Sequence, residues 1–141
     1  MTLLHVDGEF EAAKRWWASV VEEIPPTIEI KTRTLGFALI EAGNYYVPEG
    51  GVYVGCEAVR HPALDRAHGQ ALGAAHDCGL EIVSAAGDEY NPHITMAILD
   101  RMPVANLDAL LDVVPRDFSG SVAFGELGPY GTFPRIIERK G

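Results

Sequence analysis

His93 and Thr95 lie two positions apart in an apolar segment, residues 93–99, that directly follows Pro92. Because side chains alternate along a strand, both would point to the same face. An imidazole can transfer protons near neutral pH, and a hydroxyl can donate to a developing oxyanion. These are two groups that a phosphodiester reaction without a metal needs, and one such pair would be half of a site for it. A second histidine must handle the other proton, because attack and departure occur on opposite sides of the phosphorus.

His5 is the candidate for that second histidine. It lies in a short apolar segment, residues 1–6, that could form a strand, and it precedes His93 by 88 positions. Asp7 follows it two positions later, where an ionised carboxylate would accept hydrogen bonds and repel a phosphate. Asp7 also stands just before the first predicted helix, where its side chain would cap free N–H groups. Both interpretations of Asp7 are open at this point.

The segment from Pro92 to Ala97 resembles the C-terminal motif of the 2H phosphoesterase superfamily, which includes LigT-like RNA ligases and cyclic phosphodiesterases and is marked by two His-x-Thr/Ser motifs. The separation of the two histidines is also similar, and about half of the chain carries the resemblance. It implies an α+β fold with two lobes of antiparallel sheet flanked by helices around a central cleft. His5, His93 and Thr95 are the catalytic residues that it implies.

The N-terminal motif departs from the pattern of this superfamily. Asp7 stands where the relatives have Thr or Ser, and the relatives have a strand and a helix before their first motif. We therefore expect an N-terminally abbreviated lobe that is trimmed, completed by a partner subunit, or built from the C-terminal strands.

Three helices are predicted from apolar residues at three- and four-residue steps. The first ends at Pro25-Pro26, and its apolar face is expected to contain Phe10, Ala13, Trp17, Val20, Val21 and Ile24. This face leaves Trp16 as a candidate subunit contact, which would indicate a homodimer. The second begins at Pro62 and stops at Gly79, with a buried stripe of Leu64, Ala67, Ala71, Leu72, Ala75 and Cys78. The third is expected over residues 104–114.

The remaining elements are predicted to be strands. Residues 27–34, 35–41 and 52–58 look like an antiparallel meander, because Gly and Pro turn signals separate the last two. Residues 93–99 and 121–127 are expected to be strands as well. The turn at residues 128–131 predicts a hairpin that is closed by residues 133–138.

Composition restricts the classes of partner. The 141 residues are 48% hydrophobic, which suits one domain, 1–141, around one core. The net charge of −9 disfavours long nucleic acid, whereas a short nucleotide in a local pocket remains compatible with it. Cys56 and Cys78 are expected to be reduced. We expect no interaction with a membrane and a cytoplasmic location, because neither a spanning stretch nor a signal sequence is evident.

Several further residues are candidate substrate contacts. Tyr130 lies in a turn similar to one that presents an aromatic residue to substrate in the relatives, although it could equally pack on the surface. Tyr90, Phe133, Tyr45 and Tyr46 could stack on a base, or belong to the core or rim. Arg135 could contact a phosphate or simply be solvated. The steps of seven and eight among His61, His68 and His76 do not align two metal ligands on a helix, so we expect neither a metal nor a cofactor.

These observations favour a phosphodiesterase that acts on a small cyclic or 2′-linked nucleotide, cyclic oligonucleotides included. His5 and His93 would share the roles of general base and general acid, and Thr95 would hold a phosphate oxygen. One alternative is a nucleotide-binding protein of the same fold that has lost turnover and sequesters its ligand. Another is an oligomeric α+β domain in which the His-Ile-Thr sequence is incidental.

Overall fold

The computed structural model describes residues 1–102 and 117–140. These residues form an α+β structure, as predicted, in which the strands pair in antiparallel fashion. The helices are α1 (Phe10–Glu23) and α2 (Pro62–Asp77), and the strands are β1 (Val6–Asp7), β2 (Thr27–Ile30), β3 (Thr32–Ile40), β4 (Gly51–Ala58), β5 (Glu81–Ile82), β6 (His93–Leu99), β7 (Phe118–Ser121), β8 (Ala123–Glu126) and β9 (Arg135–Arg139). The helix predicted for residues 104–114 lies outside the described residues.

The helix ends follow local sequence signals. Pro62 occupies the first turn of α2, where a backbone N–H would have no helical partner in any case. Gly79 has a φ of 68° just beyond the end of α2, a conformation that glycine adopts without strain. At the end of α1, the Lys140 ammonium donates to the carbonyl oxygens of Val21 and Ile24. The C-terminal segment therefore satisfies acceptors that the helix itself leaves free.

The strands form one three-stranded sheet in the order β3-β4-β6 and three two-stranded pairs, β1–β5, β2–β7 and β8–β9. The predicted hairpin across residues 128–131 is confirmed as β8–β9. The predicted meander is wrong in one part, because β3 pairs with β4 whereas β2 pairs with β7. Lys31 separates β2 from β3. The partner of β2 is distant in the chain, and strand periodicity carries no information on it.

Two predicted strands have different bounds in the structure. Of residues 1–6, only Val6 lies in a strand, and it pairs with Ile82. The strand predicted for residues 121–127 is divided into β7 and β8 at Val122. The Val122 N–H donates to the Pro26 carbonyl at 3.4 Å, and its own carbonyl accepts from Lys140 at 3.0 Å. These two bonds turn the chain from one sheet into another.

The main core lies between α1 and α2 and includes Phe124 of β8. The Trp16 indole N–H donates to the Ala71 carbonyl at 2.8 Å, and the Phe124 ring contacts both Trp16 and Trp17. Trp16 is only 8% exposed. This burial corrects its assignment as a subunit contact, and with it the sequence argument for a homodimer.

The buried face of α1 is rotated from the predicted one. Phe10 is 51% exposed, with the Lys14 ammonium 5.6 Å from its ring centroid. The buried residues of α1 are Ala12, Trp16, Trp17 and Val20. In α2 the predicted stripe is largely confirmed, except that His68 is buried whereas Leu72 and Cys78 are only half-buried. Both neighbouring tryptophans are buried, because Phe124 of β8 contacts both rings and α2 accepts a hydrogen bond from Trp16.

The two faces of β4 separate core from site. Val52, Val54, Cys56 and Ala58 are buried on one face, whereas Tyr53, Gly55 and Glu57 alternate with them on the more open face. In the ladder with β6, Gly55 is opposite Thr95 and Glu57 is opposite His93. Paired residues share a face, so the confirmed strand β6 presents both predicted site residues on the open side of the sheet.

Neither described helix is long and apolar enough to cross a lipid bilayer. Cys56 and Cys78 are both free thiols. Burial raises the pKa of the Cys56 thiol, and the thiol contacts the Met96 sulfur at 4.0 Å. Cys56 thus behaves as a small core residue on the closed side of the sheet.

Candidate active site

His5 lies immediately before β1 and is half-buried. Its N–H donates to the Ser84 hydroxyl at 3.1 Å, and its carbonyl accepts from the Val83 N–H at 3.1 Å. Its imidazole Nδ1 is 2.6 Å from the Tyr46 hydroxyl oxygen. Backbone and side chain are therefore both fixed, one by the segment after β5 and the other by the loop between β3 and β4.

The hydrogen bonds of Tyr46 determine the tautomer of a neutral His5. The Tyr46 hydroxyl donates to the Val83 carbonyl at 2.9 Å, and a carbonyl can only accept. Tyr46 has one hydroxyl proton, so both contacts are satisfied only when His5 donates from Nδ1. The other ring nitrogen, Nε2, then carries a lone pair. This atom is buried and has no hydrogen-bond partner among the described residues.

The surroundings of His5 favour its neutral form. Burial lowers the pKa of His5 below its ordinary value of 6.5, and the positive charge of protonated His93 lowers that pKa further. A neutral imidazole with a free lone pair is the form that can accept a proton from a nucleophile. His5 is therefore suited to act as a general base.

His93 begins β6 and is exposed. Its Nδ1 is 2.8 Å from the Asn91 carbonyl oxygen, so Nδ1 carries the proton in this contact and Nε2 is free to exchange one with solvent or substrate. The edge of the Tyr53 ring contacts the imidazole, with centroids 5.3 Å apart and planes at 87°. The side chain is thus oriented by a backbone acceptor and an aromatic wall.

Thr95 is exposed on the same open face, opposite Gly55. A Cβ at Gly55 would collide with the Tyr53 hydroxyl and the Ile94 carbonyl oxygen. The absence of a side chain there lets the Tyr53 ring lie across the sheet beside the histidine. Burial raises the pKa of Tyr53 to about 12, so its hydroxyl stays protonated in the neutral range.

The two histidines share one electrostatic environment although 88 positions separate them in the chain. The charge of His93 acts on His5 strongly enough to lower its pKa. In each ring Nδ1 is engaged by a fixed oxygen, and in His5 the Nε2 atom is buried without a hydrogen-bond partner in the described ranges. The electrostatic effect of His93 on the pKa of His5 is what links the two histidines that the sequence selected.

The turn between β8 and β9 lies beside His5. A Cβ at Gly131 would be 3.5 Å from Cε1 of His5 and 3.7 Å from the Tyr46 ring, so the glycine backbone lies against both. Tyr130 has a φ of 60°, which is rare for a residue other than glycine. Thr132 stabilises this turn, because its N–H and hydroxyl both donate to the Pro129 carbonyl.

Tyr130, 47% exposed, reaches across to the loop between β3 and β4, where its hydroxyl donates to the Glu49 carboxylate at 3.1 Å. This hydrogen bond to Glu49, together with the negative charge of that group, raises the pKa of Tyr130. The turn and the loop are therefore joined on one side of His5.

A pocket of about 280 Å³ opens between this turn, the loop and β1. Three tyrosines contribute to it, together with Asp7, and its lining among the described residues is Val6, Asp7, Tyr45, Tyr46, Leu127, Gly128, Pro129 and Tyr130. Tyr46 connects the pocket to His5, because its ring lines the pocket and its hydroxyl contacts the imidazole.

Asp7 does not cap α1, which corrects one of its two interpretations. The residue at the N-cap position is Glu9, and no side chain makes a capping hydrogen bond there. Asp7 lies in β1 instead and accepts from the Gly8 N–H at 2.8 Å. It is too far upstream in the chain to occupy the cap position, and it is one of the residues that line the pocket.

Tyr90 is a core residue, which corrects its assignment as a base-stacking side chain. It is 6% exposed, and its ring stacks on His68 with centroids 3.8 Å apart. The Arg60 guanidinium lies 5.7 Å from the same ring centroid. His68 is itself engaged on both nitrogens, by the Leu3 carbonyl and the Gly87 N–H. Neither ring is available to a ligand in this arrangement.

Phe133 and Arg135 lie on the β8–β9 hairpin. Phe133, 43% exposed, covers Gly125, where a Cβ would be 2.8 Å from its ring. Arg135 lies 3.5 Å from the Glu126 carboxylate, and both side chains are well exposed. The structure gives neither residue a contact with His5 or His93 in the residues it describes. The predicted role of Arg135 at a phosphate stays a prediction.

Within residues 1–102 and 117–140, no group of three or more His, Cys, Asp or Glu residues is arranged to hold a metal ion. The sequence predictions missed Tyr53 and Gly55. The available signal for them was side-chain alternation along β4, the strand that pairs with the strand of His93. The same predictions treated Tyr46 as one of several aromatic candidates.

Comparisons of the chain with family models, with curated proteins and with solved structures found no match.

Proposed function

We propose that the chain is a phosphodiesterase that cleaves a small cyclic or 2′-linked nucleotide without a metal ion, using His5 and His93 as its proton-transfer groups. The observation that carries the proposal is the Nε2 atom of His5. It is a buried lone pair without a protein partner in the described residues, and it lies within the electrostatic reach of a second histidine. A buried acceptor without a partner is costly for the fold unless a ligand or water uses it.

In this mechanism His5 acts as the general base in hydrolysis. Its Nε2 takes a proton from water as the water oxygen bonds to the phosphorus of a 2′,3′-cyclic phosphate. The bond from phosphorus to one ribose oxygen breaks, and that oxygen receives the proton from Nε2 of His93 in its imidazolium form. Proton exchange with solvent then restores both histidines. Transfer of the phosphoryl group to a neighbouring ribose hydroxyl would use the same two atoms.

Thr95 and the overall charge favour a small substrate. The Thr95 hydroxyl lies on the same face as His93 and would donate to a nonbridging phosphate oxygen. The net charge of −9 opposes the approach of a long polyanion, whereas a mononucleotide or small cyclic oligonucleotide brings few charges.

Asp7 motivates a second candidate function. Asp7 lines the pocket beside His5, and its carboxylate cannot donate to a phosphate when ionised. A chain that binds a nucleotide in this pocket and does not turn it over would be a sequestering protein. An α+β domain with an incidental His-Ile-Thr sequence would neither bind nor turn over such ligands.

The test is incubation of the protein with EDTA and a panel of 2′,3′-cyclic mononucleotides, 2′,5′-linked dinucleotides and cyclic dinucleotides. We expect product from at least one class, and we expect His5→Ala and His93→Ala each to lower the rate by roughly 10²- to 10⁴-fold. His76→Ala, at an exposed position near the end of α2, is the matched control and should retain the wild-type rate. Binding without product would favour sequestration. A result with no binding and no product would refute both functions.

The pH dependence provides a second test of the same roles. Because the pKa of His5 is lowered from 6.5, His5 loses its proton before the pH reaches that value as pH rises. We therefore expect the acid limb of kcat/KM to have its midpoint below pH 6.5, and to be absent from the residual activity of His5→Ala. An acid limb that persists unchanged in His5→Ala would assign the base to another group.

A further inference from the structure

The pocket beside His5 combines aromatic walls with a single acceptor-only group. Tyr45, Tyr46 and Tyr130 supply the rings, and Tyr45 is 62% exposed, so its ring is accessible to a ligand. Tyr45 and Tyr46 meet edge to face, with centroids 5.0 Å apart. Flat aromatic ligands stack on such side chains. Among the described residues, Asp7 is the only charged one in the lining.

The position of the pocket relates it to the proposed reaction centre. The Tyr46 ring lines the pocket while its hydroxyl contacts His5 at 2.6 Å. Gly131, next to Tyr130, lies against the His5 ring. A ligand that fills the pocket would therefore extend its next group toward the imidazole. At about 280 Å³ the pocket is near the lower end of the roughly 300–1,000 Å³ typical of ligand sites, a size suited to one base.

Asp7 distinguishes among the four bases by its hydrogen-bonding pattern. An ionised carboxylate accepts and does not donate, and its Oδ1 already accepts from the Gly8 N–H while other lone pairs remain. Guanine offers two adjacent donors, N1–H and the exocyclic amine, that match the two oxygens of a carboxylate. Adenine and cytosine each offer an amine next to an acceptor nitrogen, which a carboxylate would repel. Uracil offers one N–H between two carbonyl acceptors.

We propose that this pocket is the base subsite of the active centre and that Asp7 makes it selective for guanine. The proposal rests on the proposed function for the identity of the ligand as a nucleotide. It also gives Asp7 a role that fits its chemistry, because the carboxylate meets the donor edge of a base and the phosphate lies at His5 and His93. Tyr45 and Tyr130 would supply stacking surfaces for the ring.

The test is calorimetric titration of the intact protein with the 3′-monophosphates of guanosine, inosine, adenosine, cytidine and uridine, which carry a base and a phosphate, contain no phosphodiester bond, and therefore report binding without turnover. We expect guanosine 3′-monophosphate to bind about tenfold to a hundredfold more tightly than the adenosine compound, as a good bidentate contact provides. Inosine 3′-monophosphate keeps N1–H and lacks the amine, so its affinity should lie between them.

Asp7→Asn changes the acceptor pair into one acceptor and one donor, which matches the edge of adenine. We expect this variant to lose the preference for guanosine and to bind the adenosine compound more tightly than the wild type does. Asp77→Asn, at an exposed position at the end of α2, is the matched control and should bind like the wild type. The wild-type ranking of the five nucleotides requires no variant, so it tests the proposal even if Asp7→Asn fails to fold.

The outcomes separate this proposal from the proposed function. Equal affinities for the five nucleotides, or a guanine preference that Asp7→Asn retains, would overturn guanine selection even if cyclic nucleotides are hydrolysed. Guanine-selective binding that depends on Asp7, with no product from any guanine-containing member of the cyclic and 2′-linked nucleotide panel, would support the base subsite and refute the phosphodiesterase. No binding of any nucleotide would overturn the subsite.

Discussion

His5 and His93 each present Nδ1 to a fixed oxygen, but that oxygen belongs to a tyrosine side chain in one half of the site and to the backbone in the other. The His5 side chain is partly buried, and its environment lowers the pKa of the imidazole. The His93 half is exposed on an open sheet face. The two halves therefore offer the same chemical group in different surroundings.

This difference is the basis on which we propose separate roles for the two histidines, which the sequence left open. A buried imidazole stays neutral before the reaction, so its lone pair is available to accept a proton as a base must. An exposed imidazole exchanges protons readily with solvent. The Tyr46 hydroxyl and the Val83 carbonyl also fix the tautomer of His5. In our account, attack by water is assisted from the His5 half, and the leaving oxygen departs on the His93 half.

Gly55→Ala should disturb the His93 half most strongly. The added methyl would collide with the Ile94 carbonyl, which belongs to the neighbouring strand and cannot move without β6. We expect a loss of about 1–3 kcal/mol in the free energy of unfolding, a typical cost of overpacking, and a lower turnover rate. Chemical denaturation measures the first effect, and the cyclic nucleotide assay measures the second.

Gly36→Ala is the matched control for this experiment. Gly36 is opposite Gly55 in the β3–β4 ladder, and a Cβ there would meet only the Gly55 carbonyl, at 4.0 Å. We expect a change in stability well below that of Gly55→Ala. Equal effects of the two substitutions would show that the Tyr53 and Ile94 contacts do not constrain the sheet.

Tyr46→Phe should affect the His5 half by a smaller amount. It removes the acceptor of the His5 Nδ1–H and the donor to the Val83 carbonyl, at a cost of about 1 kcal/mol for partly buried groups. With the acceptor gone, the neutral ring can place its proton on either nitrogen. We expect kcat/KM to fall about tenfold and the ¹⁵N shifts of His5 to show a mixture of tautomers. His93 is the internal control in the same spectra, because its backbone acceptor is unchanged.

Much of the fold could be predicted from local signals in the sequence. Pro62 and Gly79 bound α2, the apolar segment after Pro92 predicted β6, and the turn at residues 128–131 predicted the β8–β9 hairpin. The pairing of β2 with β7 could not be predicted, because it joins segments far apart in the chain. The buried face of α1 was misjudged at Trp16, since its periodicity does not reveal that α2 and Phe124 both contact the helix.

The candidate site could be predicted only in part. His93 and Thr95 followed from their spacing on one strand, and His5 from its separation from them. Tyr46 has no spacing relation to His5, because a loop brings it there from 41 positions away. The helix-capping interpretation of Asp7 failed because α1 begins at Phe10 with Glu9 at the cap. Residues that loops deliver to a site leave no periodic signal.

The central claim is that the two imidazoles share one site, and an NMR titration of His5 in the wild type and in His93→Gln tests it most directly. We predict a wild-type pKa below 6.5 for His5, and a higher value in His93→Gln because the charge of His93 is gone. Burial should still keep that higher value below 6.5, and His76→Gln should change nothing. A His5 pKa that is identical with and without His93 would contradict the account, because it would show that the two rings do not interact.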